Sequence, residues 1–409
     1  MSLAAAQALW RRALPEPVRR VAAPAVTRAL RAYVHAAGRP GAAPGTAGLP
    51  IKVVGLFERS HGIAASARLA VRAFEALGAR VEPVSLTGGG DWRRRLAGET
   101  PAAAWIFHLN APEMVGALAC LGPRRVVGPR YGYWAWELPK APRSWLKDAR
   151  LVDEVWTPSR YTAEGLAGAS APVRVVPHPL SLEDYQGIAP LPRRAAFQAV
   201  AMFDFNSSAA RKNPRGAIEA FRRAFGDQPG VELTLKTQNG ARFPDLLAAL
   251  RRDAPDNVRI VDEVWPYAEV KRLIAGADAL VSLHRAEGFG LPMAEAMALG
   301  VPVVATAFSG NLDFMDGDSA LLVPAGRTTV ADPQGIYRGQ SWAEPDLDVA
   351  VQALVTLRQD AALRARLGAA GRRIVAERLS PQAWFRSLPE AVRTAALAAC
   401  EDPHRPVRR

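Results

Sequence analysis

Cysteine is almost missing: Cys120 and Cys400 are the only two in 409 residues, far apart and without metal-type spacing. That argues against a disulfide framework and a zinc site, and it fits a reducing cytoplasm. No apolar run reaches the roughly 18 residues needed to cross a bilayer. The N-terminus has no compact hydrophobic region followed by a small-residue cleavage site, so secretion is not expected. The pattern G-x-G-x-x-G is missing too, which argues against a nicotinamide or flavin site. Acids are in short supply, with 39 Asp and Glu against 52 Lys and Arg, a net charge of +13.

What is present is a globular composition, 49% apolar and 22% charged, in a chain long enough for about two domains. The excess charge is densest at the start. Residues 1–48 hold Arg11, Arg12, Arg19, Arg20, Arg28, Arg31 and Arg39 against the single acid Glu16, a contribution of +6. Nucleic acid, anionic lipid and a nucleotide diphosphate all suit such a balance, and charge alone does not choose among them. Within this segment Trp10, Leu14, Val18 and Val21 recur at helical spacing, as in a surface-lying amphipathic helix. Pro15, Pro17 and Pro24 interrupt it, so an irregular extension rich in Ala and Arg is the alternative. The breaker-rich run from Gly38 to Gly45 marks the segment as a basic arm or linker.

From Ile51 the pattern changes. Residues 51–56 form a short apolar strand, a loop containing Gly62 follows, and Ala67, Val71, Phe74 and Leu77 then share one face of a helix stopped by Gly78. Strand, glycine loop, helix and strand make the βαβ unit of a parallel sheet. Further strands are expected at 103–109, 125–136, 154–157 and 173–176. After Pro190-Leu191-Pro192 a second series is expected at 197–203, 231–236, 258–262, 279–283, 301–305 and 320–323. Pro214, Pro266 and Pro292 stand where its helices should begin. Two such series predict an α/β protein of two Rossmann-like domains whose parallel sheets face a cleft. The expected divisions are a basic arm over 1–48, a first domain over 49–188, a second over 189–378 and a closing segment over 379–409.

The sharpest chemistry lies in residues 287–300, E-G-F-G-L-P-M-A-E-A-M-A-L-G. This run follows a buried strand and enters a helix, which places it at the carboxyl edge of a parallel sheet, where ligands bind in such folds. Gly288 and Gly290 let the backbone approach a ligand closely. Amides of Gly290 and Leu291 at a helix start favour phosphate or a sugar hydroxyl. Glu287 in the loop and Glu295 in the helix can grip opposite ends of one ligand, because a carboxylate accepts two hydrogen bonds from vicinal hydroxyls. A second constellation is Arg211-Lys212-Asn213-Pro214. Asn213 reads as a helix N-cap and Pro214 as the first helical residue, so two cations stand beside a positive helix end, as a diphosphate requires. Lys236, ending the next strand, is a further candidate for the same ligand, or simply a solvated strand end.

With Glu287 and Glu295 eight positions apart inside E-G-F-G-L-x-x-x-E-A-M-A-x-G-x-P-V-V-A-T, the chain resembles the GT-B retaining glycosyltransferases of family 4, also called glycosyl transferases group 1. The resemblance implies that Glu287 contacts the donor sugar and Glu295 the ribose. It implies that the backbone of Gly288, Phe289, Gly290 and Leu291 holds sugar and diphosphate. Ser309, Gly310 and Asn311 complete the pocket or form an ordinary turn. Lys212, preceded by Arg211, matches the basic residue that binds the donor diphosphate. The earlier arginine of some members has no counterpart between Asp204 and Ala210.

In the first half, Y-G-Y-W-A-W-E-L-P at 131–139 and W-T-P-S-R-Y at 156–161 also resemble that family. Glu137 would emerge into the cleft and contact the donor sugar, or else be a helix-start acid beside Pro139. His108 and Asn110, ending another strand, are candidates for acceptor contacts. Gly62 is the one glycine in a loop where members carry several near the phosphates or the acceptor. The helix opened by Ser380 and Pro381 is implied to cross back onto the first domain.

By resemblance, then, the expected activity is retaining transfer of a hexose from a nucleotide-diphosphate sugar to a saccharide or lipid-linked saccharide, in polysaccharide or glycolipid synthesis. No Asp-x-Asp stands in the context of a metal-dependent transferase and no lysine stands in a pyridoxal-phosphate context, so no metal and no cofactor besides the donor are expected. The donor phosphate would assist the acceptor proton. A non-catalytic nucleotide-sugar-binding protein and a basic polyanion-binding protein are the alternatives. Nucleic acid is not expected as a partner, because the richest basic run is a removable arm. That arm would hold a cytoplasmic enzyme on an anionic inner membrane face, and GDP-mannose and UDP-hexoses are all open as donors.

Overall fold

A computed structural model describes residues 16–38, 48–86, 101–332, 337 and 339–398, with backbone alone for 16–21, 23 and 24. The expectations placed on Trp10, Leu14, Arg11, Arg12, the run 39–45 and the basic tail lie outside the described residues, as do those on the side chains of Val18 and Val21.

The first sheet runs β1 (Ile51–Gly55), β2 (Val81–Ser85), β3 (Ala104–Phe107), β4 (Arg130–Tyr133), β5 (Glu154–Thr157) and β6 (Val173–Val175), in spatial order β2-β1-β3-β4-β5-β6. The second runs β7 (Phe197–Asp204), β8 (Val231–Gln238), β9 (Val258–Asp262), β10 (Ala279–Ser282), β11 (Val303–Thr306) and β12 (Leu321–Val323), in order β12-β11-β10-β7-β8-β9. Every pairing in both sheets is parallel. Strands covered on both faces read as continuous apolar runs rather than alternations. The one cation in β1, Lys52, is buried over the Trp105 ring with Glu82 3.8 Å away.

The helices in chain order are α1 (Glu16–Ala37), α2 (Gly62–Ala76), α3 (Ala111–Leu121), α4 (Arg143–Asp148), α5 (Arg160–Gly165), α6 (Ala209–Lys212), α7 (Pro214–Phe225), α8 (Pro244–Asp253), α9 (Tyr267–Ala275), α10 (Leu291–Ala298), α11 (Leu347–Gln359), α12 (Ala361–Ile374), α13 (Pro381–Ser387) and α14 (Glu390–Ala398). None of the described helices is long and apolar enough to cross a membrane.

In each sheet the strand order reverses at one point, between β1 and β3 in the first and between β7 and β10 in the second. Loops at the carboxyl ends of those strands splay apart and leave a crevice. The Gly62 loop and His108–Asn110 border the first reversal. Residues 205–213 and 283–290 border the second. The four segments singled out by sequence therefore converge for a topological reason.

Three observations depart from the sequence reading. Part of the arm is ordered: α1 runs through Pro24 and packs on α3, with Val34 buried. Arg31 and His35 close on the buried Asp148 carboxylate at 2.9 and 3.0 Å. Residues 16–37 thus form a helix, one of the two alternatives for the arm, but seated on the first domain and running through the proline expected to interrupt it. The strand expected over 125–136 is confined to Arg130–Tyr133, because the Asn110 side chain accepts from the Ala135 amide at 2.8 Å and draws the chain out of the ladder. An antiparallel hairpin, β13 (Ala325–Thr329) with β14 (Ser341–Pro345), follows the second sheet. Its strands are short and polar, and only Trp342, Ala343 and Pro345 are buried, so no apolar pattern announced it.

At the other end, Trp384 packs edge-on against Phe74 of α2 at 4.8 Å, and Leu388, Val392 and Ala396 join the core of the first domain. Alongside, the Leu180 amide donates to Leu379 at 2.7 Å, so the outward and return crossings between domains run side by side.

Candidate active site

Glu287 sits in the loop after β10, where four contacts fix it. Its amide donates to the Ser309 hydroxyl at 2.8 Å and its carbonyl accepts from the Gly310 amide at 2.9 Å. Its carboxylate meets Lys212 Nζ at 2.5 Å and Arg211 Nη1 at 3.2 Å. Burial alone would raise this carboxyl, but Lys212 and Arg211 hold it down at about 2. The group is an anion throughout the physiological range.

Ser309, Gly310 and Asn311 act as the floor of that loop. A Cβ on Gly310 would come 2.2 Å from the Gly288 carbonyl, so only glycine permits the approach. Asn311 donates to the Thr306 carbonyl at 3.0 Å, and its oxygen lies 3.2 Å from His284 Nε2. Gly290 takes φ +99°, the left-handed turn that starts α10, and Leu291 is the first helical residue. Phe289 is buried against Phe314 and His178, each 4.7 Å between ring centres.

Arg211 departs from the sequence reading. It lies in α6 and is 2% exposed. Its guanidinium donates to the carbonyls of Ala286 (2.7 Å) and Ser207 (3.0 Å). The same group stands 3.6 Å from Glu137 Oε1 of the first domain. Burial opposes its charge, yet Tyr337, Glu137 and Glu287 raise its pKa overall. It is committed to protein partners and does not hang free beside a helix end. Lys212, with 16% of its side chain exposed, is the cation that faces the crevice. Asn213 does cap the next helix, in a left-handed conformation (φ 51°), accepting from the Gly216 amide. A small hollow beside Glu287 is lined by Met202, Lys212, Ser282, Pro292 and Met293.

Lys236 is also spent. Its ammonium donates to the carbonyls of Thr237 (3.0 Å) and Glu263 (2.5 Å) and lies over the Trp265 ring. Neither Glu287 nor Glu295 is among its contacts.

Glu295 is buried on the far side of α10, where the Tyr267 hydroxyl donates to it and lies 3.0 Å from that of Tyr185. Burial raises its carboxyl to about 7, with Tyr267, Lys271 and Arg72 acting the other way. The loop and the helix that follows it therefore carry two carboxylates shifted in opposite directions, Glu287 downward and Glu295 upward.

From the first domain, Ser159 and Thr162 donate to the Gly288 carbonyl at 2.6 and 3.3 Å, so W-T-P-S-R-Y grips the E-G-F-G loop directly. The Arg160 amide meets Asp313 at 2.8 Å. Glu137 reaches the cleft and accepts from the Tyr337 hydroxyl at 3.2 Å. Gly62 opens α2, with His61 as its cap, and open space surrounds the position a Cβ would take. Burial lowers the His61 pKa, while Asp204 at the end of β7 acts to raise it across the gap.

His108 and Asn110 do not face the crevice as free polar groups. Asn110 stands at the N-cap position of α3, but its side chain accepts from the Ala135 amide instead. His108 is buried against Ser66 Oγ (3.0 Å) and stacked on Tyr133, and burial lowers it to about 3. Tyr133 in turn donates to the Val176 carbonyl and lies 3.0 Å from His178 Nδ1. His178, Tyr337 and Tyr267 were not singled out by sequence, and Ser159 only as part of W-T-P-S-R-Y. His178 left a trace in Val176-Pro177-His178-Pro179, a histidine braced by prolines straight after a strand. The tyrosines left none. Among the described residues no group of three or more His, Cys, Asp or Glu is gathered as for a metal ion.

Two parallel six-stranded sheets facing a crevice, with a glycine loop and helix start at the second reversal point, define the GT-B fold. Sucrose-phosphate synthase from Thermosynechococcus elongatus shares it with a TM-score of 0.62 at 16% identity, over 85% of this chain and 98% of that one. The Anabaena protein HepE, solved with UDP and glucose, aligns with a TM-score of 0.60 at 14% identity, over 85% of this chain and 100% of that one. In sequence, residues 204–338 match the family described as glycosyl transferases group 1. The GDP-mannose-dependent monoacylated alpha-(1-6)-phosphatidylinositol monomannoside mannosyltransferase of Corynebacterium glutamicum is 23% identical over 279 residues, 63% of this chain and 67% of that protein. The chain therefore has the GT-B fold, and its segment that matches glycosyl transferases group 1 spans the Lys212–Glu287 site.

Proposed function

We propose that this enzyme transfers a hexose, with retention of configuration and without a divalent metal, from a nucleotide-diphosphate sugar to a saccharide or lipid-linked saccharide. The observation that carries the reading is the meeting of Lys212 and Glu287 at the mouth of α10. The diphosphate lies against Lys212 and the backbone amides at the helix start, where positive charge gains most as the leaving group becomes anionic. Glu287, kept ionised, holds a hydroxyl of the sugar and stabilises positive charge developing at the anomeric carbon. Glu295 accepts from the ribose hydroxyls in place of Tyr267. Glu137 faces the sugar from the first domain, and the acceptor enters past Gly62, with the donor phosphate taking its proton.

The mannosyltransferase relative favours GDP-mannose and a lipid-linked acceptor, and the basic α1 segment suits an anionic membrane face. Melting temperatures measured against a panel of nucleotide sugars, followed by product analysis with the stabilising donor, test the reading. A donor-dependent rise in melting temperature and an α-linked product from an α-linked donor are expected. No stabilisation by any nucleotide sugar, or an inverted product, would reject it. Flotation with anionic liposomes of the wild type and of a variant with Arg11, Arg12, Arg19 and Arg20 replaced by Gln tests the membrane clause; equal partitioning rejects it.

A further inference from the structure

The hairpin β13–β14 has no part in the donor site as described, yet its two ends are tied to both domains. Its root is fastened to the backbone that carries the site. Arg285 forms a double ion pair with Glu344 (2.8 and 2.9 Å), lies over the Trp342 ring and donates to the Ala210 carbonyl at 2.8 Å. The Arg285 amide also donates to the Arg211 carbonyl at 2.7 Å. The far end reaches the first domain. Gln340 and Lys140 exchange two hydrogen bonds at 2.9 and 3.0 Å. Tyr337 is 5% exposed, packs edge-on against Trp136 and joins the apolar core of that domain. Its hydroxyl donates to one oxygen of Glu137, while Arg211 faces the other.

A carboxylate beside a crevice, left to itself, samples several rotamers. Here its two oxygens are held by groups from the opposite domain, and one of those groups arrives on the hairpin. We propose that the hairpin is an interdomain strap and that Tyr337 is a positioning residue for sugar transfer, fixing Glu137 in the orientation that faces the donor. The orientation of Glu137 then depends on the two domains being closed on each other. This inference rests on the reading of the crevice as the transfer site.

The test is Tyr337→Phe, which keeps the ring and removes the hydroxyl. The expected result is a fall in kcat of about tenfold, with the donor KM changed less than about twofold, since the hydrogen bond acts on a charged group outside the diphosphate site. In a Glu137→Gln background the same change should cost less than about twofold, because coupled residues are non-additive. Unchanged kcat, or equal losses in both backgrounds, would overturn the positioning role. Amide exchange over residues 136–141 provides a substrate-free readout. Seating of the strap predicts faster exchange there in Tyr337→Phe and in Gln340→Ala, with β3 unaffected. Unaltered exchange in both variants would overturn the strap, whereas failure of the wild type to transfer sugar while exchange responds as expected would overturn the functional reading alone.

Discussion

Lys212 Nζ stands 2.5 Å from Glu287 Oε1, so the ammonium at the crevice is neutralised by the carboxylate beside it. On the proposed reading a diphosphate competes for that ammonium, while Arg211 remains a second partner for Glu287 at 3.2 Å. The second cation is what lets Glu287 release Lys212 without becoming a bare buried charge.

Lys212→Ala is therefore expected to weaken nucleotide-diphosphate binding by about a hundredfold, the scale of a lost charge-assisted contact with phosphate. Isothermal titration with the nucleoside diphosphate measures it, and full affinity in the variant would remove Lys212 from the donor site. Arg211 should hold the fold and Glu287 well enough for the variant to remain native by circular dichroism.

Arg211→Met should act on stability before activity. The substitution leaves Glu137 and Glu287 without their shared partner, and breaking a buried pair costs about 3–5 kcal/mol. Urea unfolding would show a lower midpoint with little change in slope. Lysine at this position should not restore stability, since it cannot reach the Ala286 and Ser207 carbonyls and two carboxylates at once.

The pH dependence of Glu295 has a definite sign. Its folded-state value of about 7 lies above the ordinary 4.5. Between those pH values the folded protein keeps a proton that the unfolded chain has released. The stability this gives is full below about 4.5 and is lost as pH rises through 7. Glu295→Gln removes the titration, so its melting temperature should gain on that of the wild type from pH 5 to pH 8. Parallel melting curves would contradict the assignment. On the proposed ribose contact, hydroxyls donate to the ionised carboxylate, so donor affinity should strengthen over the same interval in the wild type and stay flat in the variant.

Two glycines separate structural from ligand-facing roles. Gly310→Ala puts a methyl group into the Gly288 carbonyl, so the Glu287 loop must shift and turnover should fall at least a hundredfold. Gly62→Ala meets nothing in the free protein, and its melting temperature should match the wild type. A rise in acceptor KM in that variant would place the acceptor beside α2, whereas unchanged kinetics would exclude Gly62 from the site.

Much of this architecture was legible in the chain. The β5 and β9 boundaries were read to the residue, and most other strands to within one or two, because short runs of β-branched and aromatic residues are bounded by polar and turn residues. The E-G-F-G loop was legible because its glycines and carboxylates are chemically unusual at a strand-to-helix turn. The partners of those carboxylates were not. Nothing local distinguishes Arg211, whose guanidinium is buried between two domains, from Lys212, which faces the crevice. Asn110 and His108 looked like cleft residues because they end a strand, yet the side chain of one is tied to the Ala135 amide and the other is stacked in the core.

The sequence by itself determined the two sheets, the helix start that can receive a diphosphate and the identity of the two glutamates. Those follow from short-range patterns, in which neighbours along the chain are neighbours in space. Only the tertiary structure decided which charges oppose one another: Glu287 held ionised by Lys212 and Arg211, Glu295 kept near neutrality by burial, and Glu137 turned inward by Tyr337 200 residues away. Electrostatics and burial depend on through-space distance, and that is set by the packing of one domain on the other.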